Sequence, residues 1–246
     1  MNYYLLGDND QTQSSWVLYE LDPENPGKRA PSKLPPVMMR FFGPQPDRNM
    51  RMKPAYLPAC CNTCRRYDDD DIYDIGFEEP VTIRVRGDFA YTQDRVLIVS
   101  DKFLKALRSA RVRGFETKPV GKSGWHALRV TTQVDCKKGV IKPAKPNCRS
   151  CGRPRRTVGS FQFANELSTP DEPNTLFTTR INFHRLLWDR DLFASEDVVA
   201  VLKKAGIKGG YCNRLWSEEE RKQIAEKSKQ NVRWKPPGTT VLLNGR

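Results

Sequence analysis

The chain has 246 residues, 42 Lys and Arg against 29 Asp and Glu for a net charge of +13, and 38% hydrophobic residues. That is enough apolar content for a real core in one large domain or two small ones, and no apolar run approaches the roughly 18 residues of a membrane span. An odd total of seven cysteines and no N-terminal apolar segment with a basic flank argue against a disulfide-built secreted protein and for a reducing, cytoplasmic setting without a membrane partner.

Tyr3-Tyr4-Leu5-Leu6 and the run Trp16 to Leu21 are short, aromatic and aliphatic, and separated by a polar turn, which predicts two strands. Residues 22 to 60 hold nine prolines; each lacks a backbone donor, so an irregular lead-in is expected. It reaches Cys61-Asn62-Thr63-Cys64, with Cys60 directly before it. The run Asp68 to Asp71, with Asp74, Glu78 and Glu79 behind it, reads as a solvated acidic loop. Adjacent carboxylates point in different directions, and no glycine-turned calcium loop is present.

The alternation Val81, Ile83, Val85 predicts a half-buried strand and Arg95 to Val99 a more fully buried one. Ser100 to Gly114 then finds an echo in Ser195 to Gly209 at a constant offset of 95. Each copy opens on a serine suited to N-capping, carries an acid in its first turn and cations in its last, and leaves through glycine. Phe103, Leu104, Leu107, Ala110 and Val198, Val199, Leu202, Ala205 each bury one face of a short helix. An internally duplicated strand-helix-glycine unit over 96–115 and 191–211 is therefore expected, although helix grammar alone also produces short similarities. Trp125 to Val134 and Val158 to Phe163 predict strands, Ser217 with Glu220 predicts a capping box opening a helix to about Asn231, and Thr239 to Leu243 predicts a last strand. Trp188, Trp216 and Trp234 read as core residues.

Cys61 and Cys64 with Cys148 and Cys151 give two Cys-x-x-Cys turns. A two-residue spacer lets both sulfurs of a turn reach one ion at about 2.3 Å, and two such turns close a four-thiolate structural zinc site with no open position. More than eighty residues separate the pairs, so the metal would staple distant segments. Cys60 is an alternative to Cys61 with a three-residue spacer; Cys136 and Cys212 lack a partner at motif spacing and are expected to be buried.

The charge is uneven. Residues 1–80 carry nine cations against thirteen acids, residues 81–160 nineteen against five. The densest stretch, 137–156, brings Lys142, Lys145, Arg149, Arg153, Arg155 and Arg156 around the second pair. Such a stretch can neutralise phosphates or face an acidic protein, and it can also be a solvated loop. It has no aromatic residue to stack on bases, which lowers the nucleic-acid reading.

The two pairs, the second continuing as Cys148-x-x-Cys151-Gly152, the phrase Val99-Ser100-x-x-Phe103-Leu104-x-x-Leu107 leading to Val112-Arg113-Gly114-Phe115, and Trp188-x-x-Asp191-Leu192-Phe193 together resemble the bacterial double-CXXCG-motif family. The resemblance spans roughly residues 60–210. It implies an immunity protein that binds and blocks a cognate toxin of a polymorphic toxin system. Arg65 follows the first pair where the motif has glycine, so the resemblance leaves open whether Cys60 or Cys61 is the ligand.

No nucleophile elbow, phosphate loop, His-Glu-x-x-His or nucleotide fingerprint occurs, and the two histidines, His126 and His184, stand apart from any such pattern. The expectation is a non-enzymatic α+β protein with a mixed or antiparallel sheet and a few short helices. It forms one domain over 1–246, in which the zinc joins a proline-rich region (about 1–80) to an α+β body (about 80–246). Its partner is an acidic or acid-patched toxin domain; the alternative is a zinc-knuckle protein that binds nucleic acid.

Overall fold

The computed structural model describes residues 2–8, 19–21, 50–64, 69–77, 83, 85–92, 96–137, 142–152, 154–158, 167–180, 192–217, 219–220, 222–223, 226 and 240–244. In chain order the elements are β1 (Tyr3–Asp8), β2 (Tyr19–Leu21), β3 (Met50–Met52), a 3-10 helix (Pro54–Ala59), α1 (Asp69–Ile75), β4 (Phe89–Tyr91), β5 (Leu97–Ser100), α2 (Asp101–Ser109), β6 (Phe115–Pro119), β7 (Trp125–Val130) and β8 (Gln133–Val134). They continue as β9 (Lys142–Asn147), β10 (Pro154–Val158), β11 (Leu176–Thr179), β12 (Leu192–Ser195), α3 (Glu196–Lys204), β13 (Lys208–Arg214) and β14 (Thr240–Asn244). The class is α+β, as the sequence predicts.

A six-stranded sheet runs β14-β13-β1-β12-β11-β8 and a four-stranded one β4-β5-β7-β6; β2/β3 and β9/β10 form two-stranded ribbons. Pairing is antiparallel except between β11 and β8. Period-two alternation divides the side chains between cores. Leu97 and Val99 of β5, Leu128 of β7, and Leu192 and Ala194 of β12 face a central core with both long helices. Ile98 and Ala127 face a second cluster with Tyr56, Ala59, Ile72, Tyr73 and Phe77, and Phe193 faces a third with Tyr3, Phe177 and Leu215. The two sheets thus share one helical core and each has its own cluster behind.

The duplicated unit is three-dimensional. β5 and α2 map onto β12 and α3 residue for residue at the offset of 95. β7 is antiparallel to both β5 and β6, and β1 to both β12 and β13. Each unit is therefore a strand, a helix and a parallel strand, split by an antiparallel strand inserted between. Both helices close alike. The N–H groups of Arg111 and Val112 donate to the carbonyls of Arg108 and Leu107, and those of Gly206 and Ile207 to the carbonyls of Lys203 and Leu202. This is a Schellman closure, and in each copy the apolar residue behind it, Val112 or Ile207, is buried with the helix.

Three expectations change. The acidic run is not a loop: α1 covers Asp69–Ile75. Carboxylates in its first turn complement the helix dipole, while Ile72 and Tyr73 are buried. Arg129 supplies the counter-charge, reaching Glu116 at 2.8 Å, Asp74 at 3.1 Å and Asp70 at 3.7 Å, with its guanidinium 4.3 Å from the Tyr73 ring centroid. Lys118 Nζ donates to the Tyr73 and Asp74 carbonyls at the helix end. Burial pushes the Tyr73 hydroxyl up to about 12, against the pull of Arg129.

The second change concerns capping. Ser100 Oγ accepts from the Phe103 N–H as predicted, but Ser195 makes no side-chain cap. It is fully buried, and its hydroxyl accepts from the Thr175 N–H instead; the Asn2 carbonyl takes the Glu196 N–H. Thirdly, residues 83 and 85, the described part of the strand predicted over Val81 to Val85, belong to no ladder, and Ile83 and Val85 pack against the second cluster.

The capping box holds: Ser217 Oγ accepts from the Glu220 N–H at 3.2 Å and Glu220 accepts from the Ser217 N–H at 2.8 Å. β14 is the predicted last strand, and the strand predicted over Trp125 to Val134 is realised as β7 and β8. Of the strand predicted over Val158 to Phe163, only Val158 is described, as the last residue of β10. Trp16 to Leu18, most of the proline-rich stretch (22–49), residues 159–163, Trp188, Trp234, His184 and Arg153 lie outside the described residues.

Candidate metal centre

The first Cys-x-x-Cys follows the 3-10 helix, where two prolines restrict the chain just before the turn at residues 62–64. The second is the loop of the β9/β10 hairpin: Asn147 pairs with Pro154, and the turn between them is closed by the Gly152 N–H on the Cys148 carbonyl at 2.8 Å. Gly152 has φ +70, a conformation that its lack of a Cβ permits.

The sulfurs of Cys61, Cys64, Cys148 and Cys151 all lie within 4.8 Å of one another. Cys61 Sγ is 3.9 Å from Cys148 Sγ, and Cys64 Sγ is 3.6 Å from Cys151 Sγ. A tetrahedral ion with 2.3 Å bonds to sulfur sets its ligand atoms about 3.8 Å apart, so the set fits one metal. The two turns also match each other at an offset of 87: Cys61 faces Cys148, Cys64 faces Cys151, and the hydroxyls of Thr63 and Ser150 meet at 2.6 Å. In each turn, backbone N–H groups aim at the leading sulfur. Those of Cys151 and Ser150 bring the Cys148 thiol down to about 6, and those of Cys64 and Thr63 lower Cys61. Thiolates are what a metal needs as ligands.

Cys60 stands outside the four-sulfur group; its backbone N–H donates to the Leu57 carbonyl, and its side chain packs against the second cluster. The structure thus favours Cys61 as the fourth ligand. Accordingly, Cys60→Ser is expected to retain one equivalent of metal by elemental analysis, and Cys61→Ser to lose most of it; equal loss in both would undo that assignment. Cys212 is buried in the central core, where burial raises its thiol to about 12, and burial also raises Cys136, which packs on the third cluster. Neither has the exposed, lowered thiolate of a reactive cysteine. His126 Nε2 lies 2.7 Å from Asp101 Oδ1 at the start of α2, away from the four sulfurs.

The basic stretch forms a ribbon. Lys142 and Lys145 lie on β9, Arg155 and Arg156 on β10, and Arg149 is exposed in the turn. The register sets Arg156 directly opposite Lys145 and Val158 opposite Lys142, with an irregularity after Arg156. Like charges facing each other across a ladder are destabilising in isolation. The hydroxyl pair Thr63–Ser150 and the salt network on Arg129 escaped the sequence reading. The first had a signal, a hydroxyl residue at the third place of both Cys-x-x-Cys turns; the second depends on contacts up to 59 positions apart, which no local pattern marks.

No protein-family model matches the chain, and no curated protein matches it. Among the described residues no helix is long and apolar enough to cross a membrane.

Proposed function

We propose that the chain is a non-enzymatic, cytoplasmic immunity protein of the double-CXXCG kind. Its four cysteines hold a structural zinc, and its basic ribbon meets an acidic surface of a cognate toxin. One observation carries the reading: the four-sulfur cluster sits at the tip of the most basic hairpin, so a single ion would rigidify the segment that carries Lys142, Lys145, Arg149, Arg153, Arg155 and Arg156. A closed, all-thiolate set suits a structural site, and soft sulfur ligands suit zinc. Cations placed opposite one another are relieved by an anionic partner.

The test is coexpression with the toxin-like domain encoded beside this chain. Wild type is expected to rescue growth and to bind the domain; reversing Lys145, Arg149, Arg153 and Arg155 to Glu is expected to lower affinity by at least about a hundredfold, since close charge pairs couple by about 1.5 kcal/mol or more. Unchanged affinity in the reversed variant would remove the ribbon from the interface. Tight binding to DNA or RNA that weakens steeply with added salt would favour the nucleic-acid alternative.

A further inference from the structure

The duplication supplies an internal control for reading the surface. At the offset of 95 the buried positions agree in kind: Phe103 with Val198, Leu104 with Val199, Leu107 with Leu202, Val112 with Ile207. The outer ridge does not. On α2 and its exit the exposed positions Lys102, Lys105, Arg108 and Arg111 follow at three-residue intervals, and all four are cations. Their counterparts on the second unit are Asp197, Ala200, Lys203 and Gly206. The shared scaffold therefore does not require this charge.

Arg111 sharpens the point. It has φ 54, in the left-handed region, where the equivalent residue is Gly206 at φ 61. The Schellman closure asks for glycine at this place because a Cβ is strained there. A residue held at such a conformation with a long cationic side chain points towards a function for that side chain. Complementing the helix dipole does not need it, because Arg108 already lies in the last turn. Two members of the ridge are engaged: Lys102 with Asp88 and the Gly206 carbonyl, and Arg108 with Thr117 Oγ1 at 3.4 Å. Among the described residues, Lys105 and Arg111 form no ion pair.

We propose that the outer ridge of α2, centred on Lys105 and Arg111, is a docking surface for an acidic patch of a protein partner. The inference goes beyond the toxin reading and the metal and depends on neither. The neighbouring surface favours a protein over a nucleic acid. Lys102 contacts the residue that closes α3, and exposed acids stand at the starts of both helices, Asp101 on α2 and Glu196 and Asp197 on α3. That mixed-sign pattern repels a continuous polyphosphate and suits a protein surface of mixed charge. None of the four ridge positions, Lys102, Lys105, Arg108 and Arg111, carries a ring for a base to stack on.

The test uses the full chain and a fluorescent poly-glutamate peptide, read by anisotropy at low salt, beside an oligothymidine of equal charge. Lys105→Ala with Arg111→Gly is expected to weaken poly-glutamate binding about three- to tenfold, two exposed ion pairs' worth. A charge-matched control, Lys122→Ala with Lys204→Ala, is expected to lose clearly less. Arg111→Gly alone is expected to melt at the same temperature as wild type or higher, which separates lost binding from lost folding. Equal losses in the two double variants would reduce the effect to net charge and overturn the proposal. A lower melting temperature for Arg111→Gly would make Arg111 structural, and oligothymidine bound in preference and lost with Lys105 and Arg111 would make the ridge a nucleic-acid surface; either overturns the proposal.

Discussion

Removing the metal is expected to melt the β9/β10 ribbon and the first cysteine turn while the central core stays folded. Among the described strands, β9 and β10 pair only with each other. A lone two-stranded hairpin is marginal in water. Its tip is held through sulfur contacts and the Thr63–Ser150 hydroxyl pair. Structural zinc contributes about 10–16 kcal/mol in small zinc-folded peptides, comparable with or larger than the whole stability of an ordinary domain, about 5–15 kcal/mol. Losing it should therefore abolish local order completely. The check is hydrogen exchange before and after chelation, and on Cys148→Ser. Amides of 61–64 and 142–158 should lose protection by orders of magnitude, while those of β5, α2, β12 and α3 keep theirs. Protection of the ribbon that survives a verified loss of metal would show that the cluster is not its staple.

What the sequence disclosed, and what it hid, follow the range of the interactions. The two helices were legible because their determinants are local: Ser100 and Ser195, acids in the first turn, cations in the last and a buried face at helical spacing. Even there Ser195 misled, because its hydroxyl serves the Thr175 N–H, a contact twenty positions away. The four ligands were legible because a two-residue spacer is itself a geometric statement. What joined them was not: the turn match at 87, with Thr63 on Ser150, exists only once the chain has brought residues 61–64 against 148–151. The acidic run failed for the same reason. Four adjacent carboxylates repel and read as a loop until Arg129, from β7, is placed on Tyr73 and bonded to Asp70 and Asp74. Pro143, Pro146 and Pro154 lack a backbone donor, and the ribbon of β9 and β10 that carries them has no further neighbour among the described strands, the place where a missing N–H costs least.

Gly114→Ala and Gly209→Ala are expected to destabilise the fold far more than Gly124→Ala, and the comparison tests whether the duplicated unit is one piece of architecture used twice. Gly114 and Gly209 stand at the same place, five residues beyond the end of α2 and of α3, at φ +87 and +93. Both lie against backbone. A Cβ on Gly114 would overlap the Leu176 carbonyl beside β11, and one on Gly209 would stand 2.6 Å from the Cα of Gly87, where the two sheets meet and the Asp88 N–H donates to the Lys208 carbonyl. Backbone cannot rotate away as a side chain can. Each substitution therefore adds overpacking of about 1–3 kcal/mol to the left-handed strain of about 1–2 kcal/mol. Gly124 has φ +74 but nothing within 4 Å of its added Cβ, so it carries the strain alone. Urea denaturation should place Gly114→Ala and Gly209→Ala together, about 2–5 kcal/mol below wild type, with Gly124→Ala within about 1–2 kcal/mol. If all three shifted alike, the close approach of backbone at the exit of each unit would carry no energetic weight. If only one of the equivalent pair shifted, the two units would resemble each other in outline while being held to the sheets in different ways.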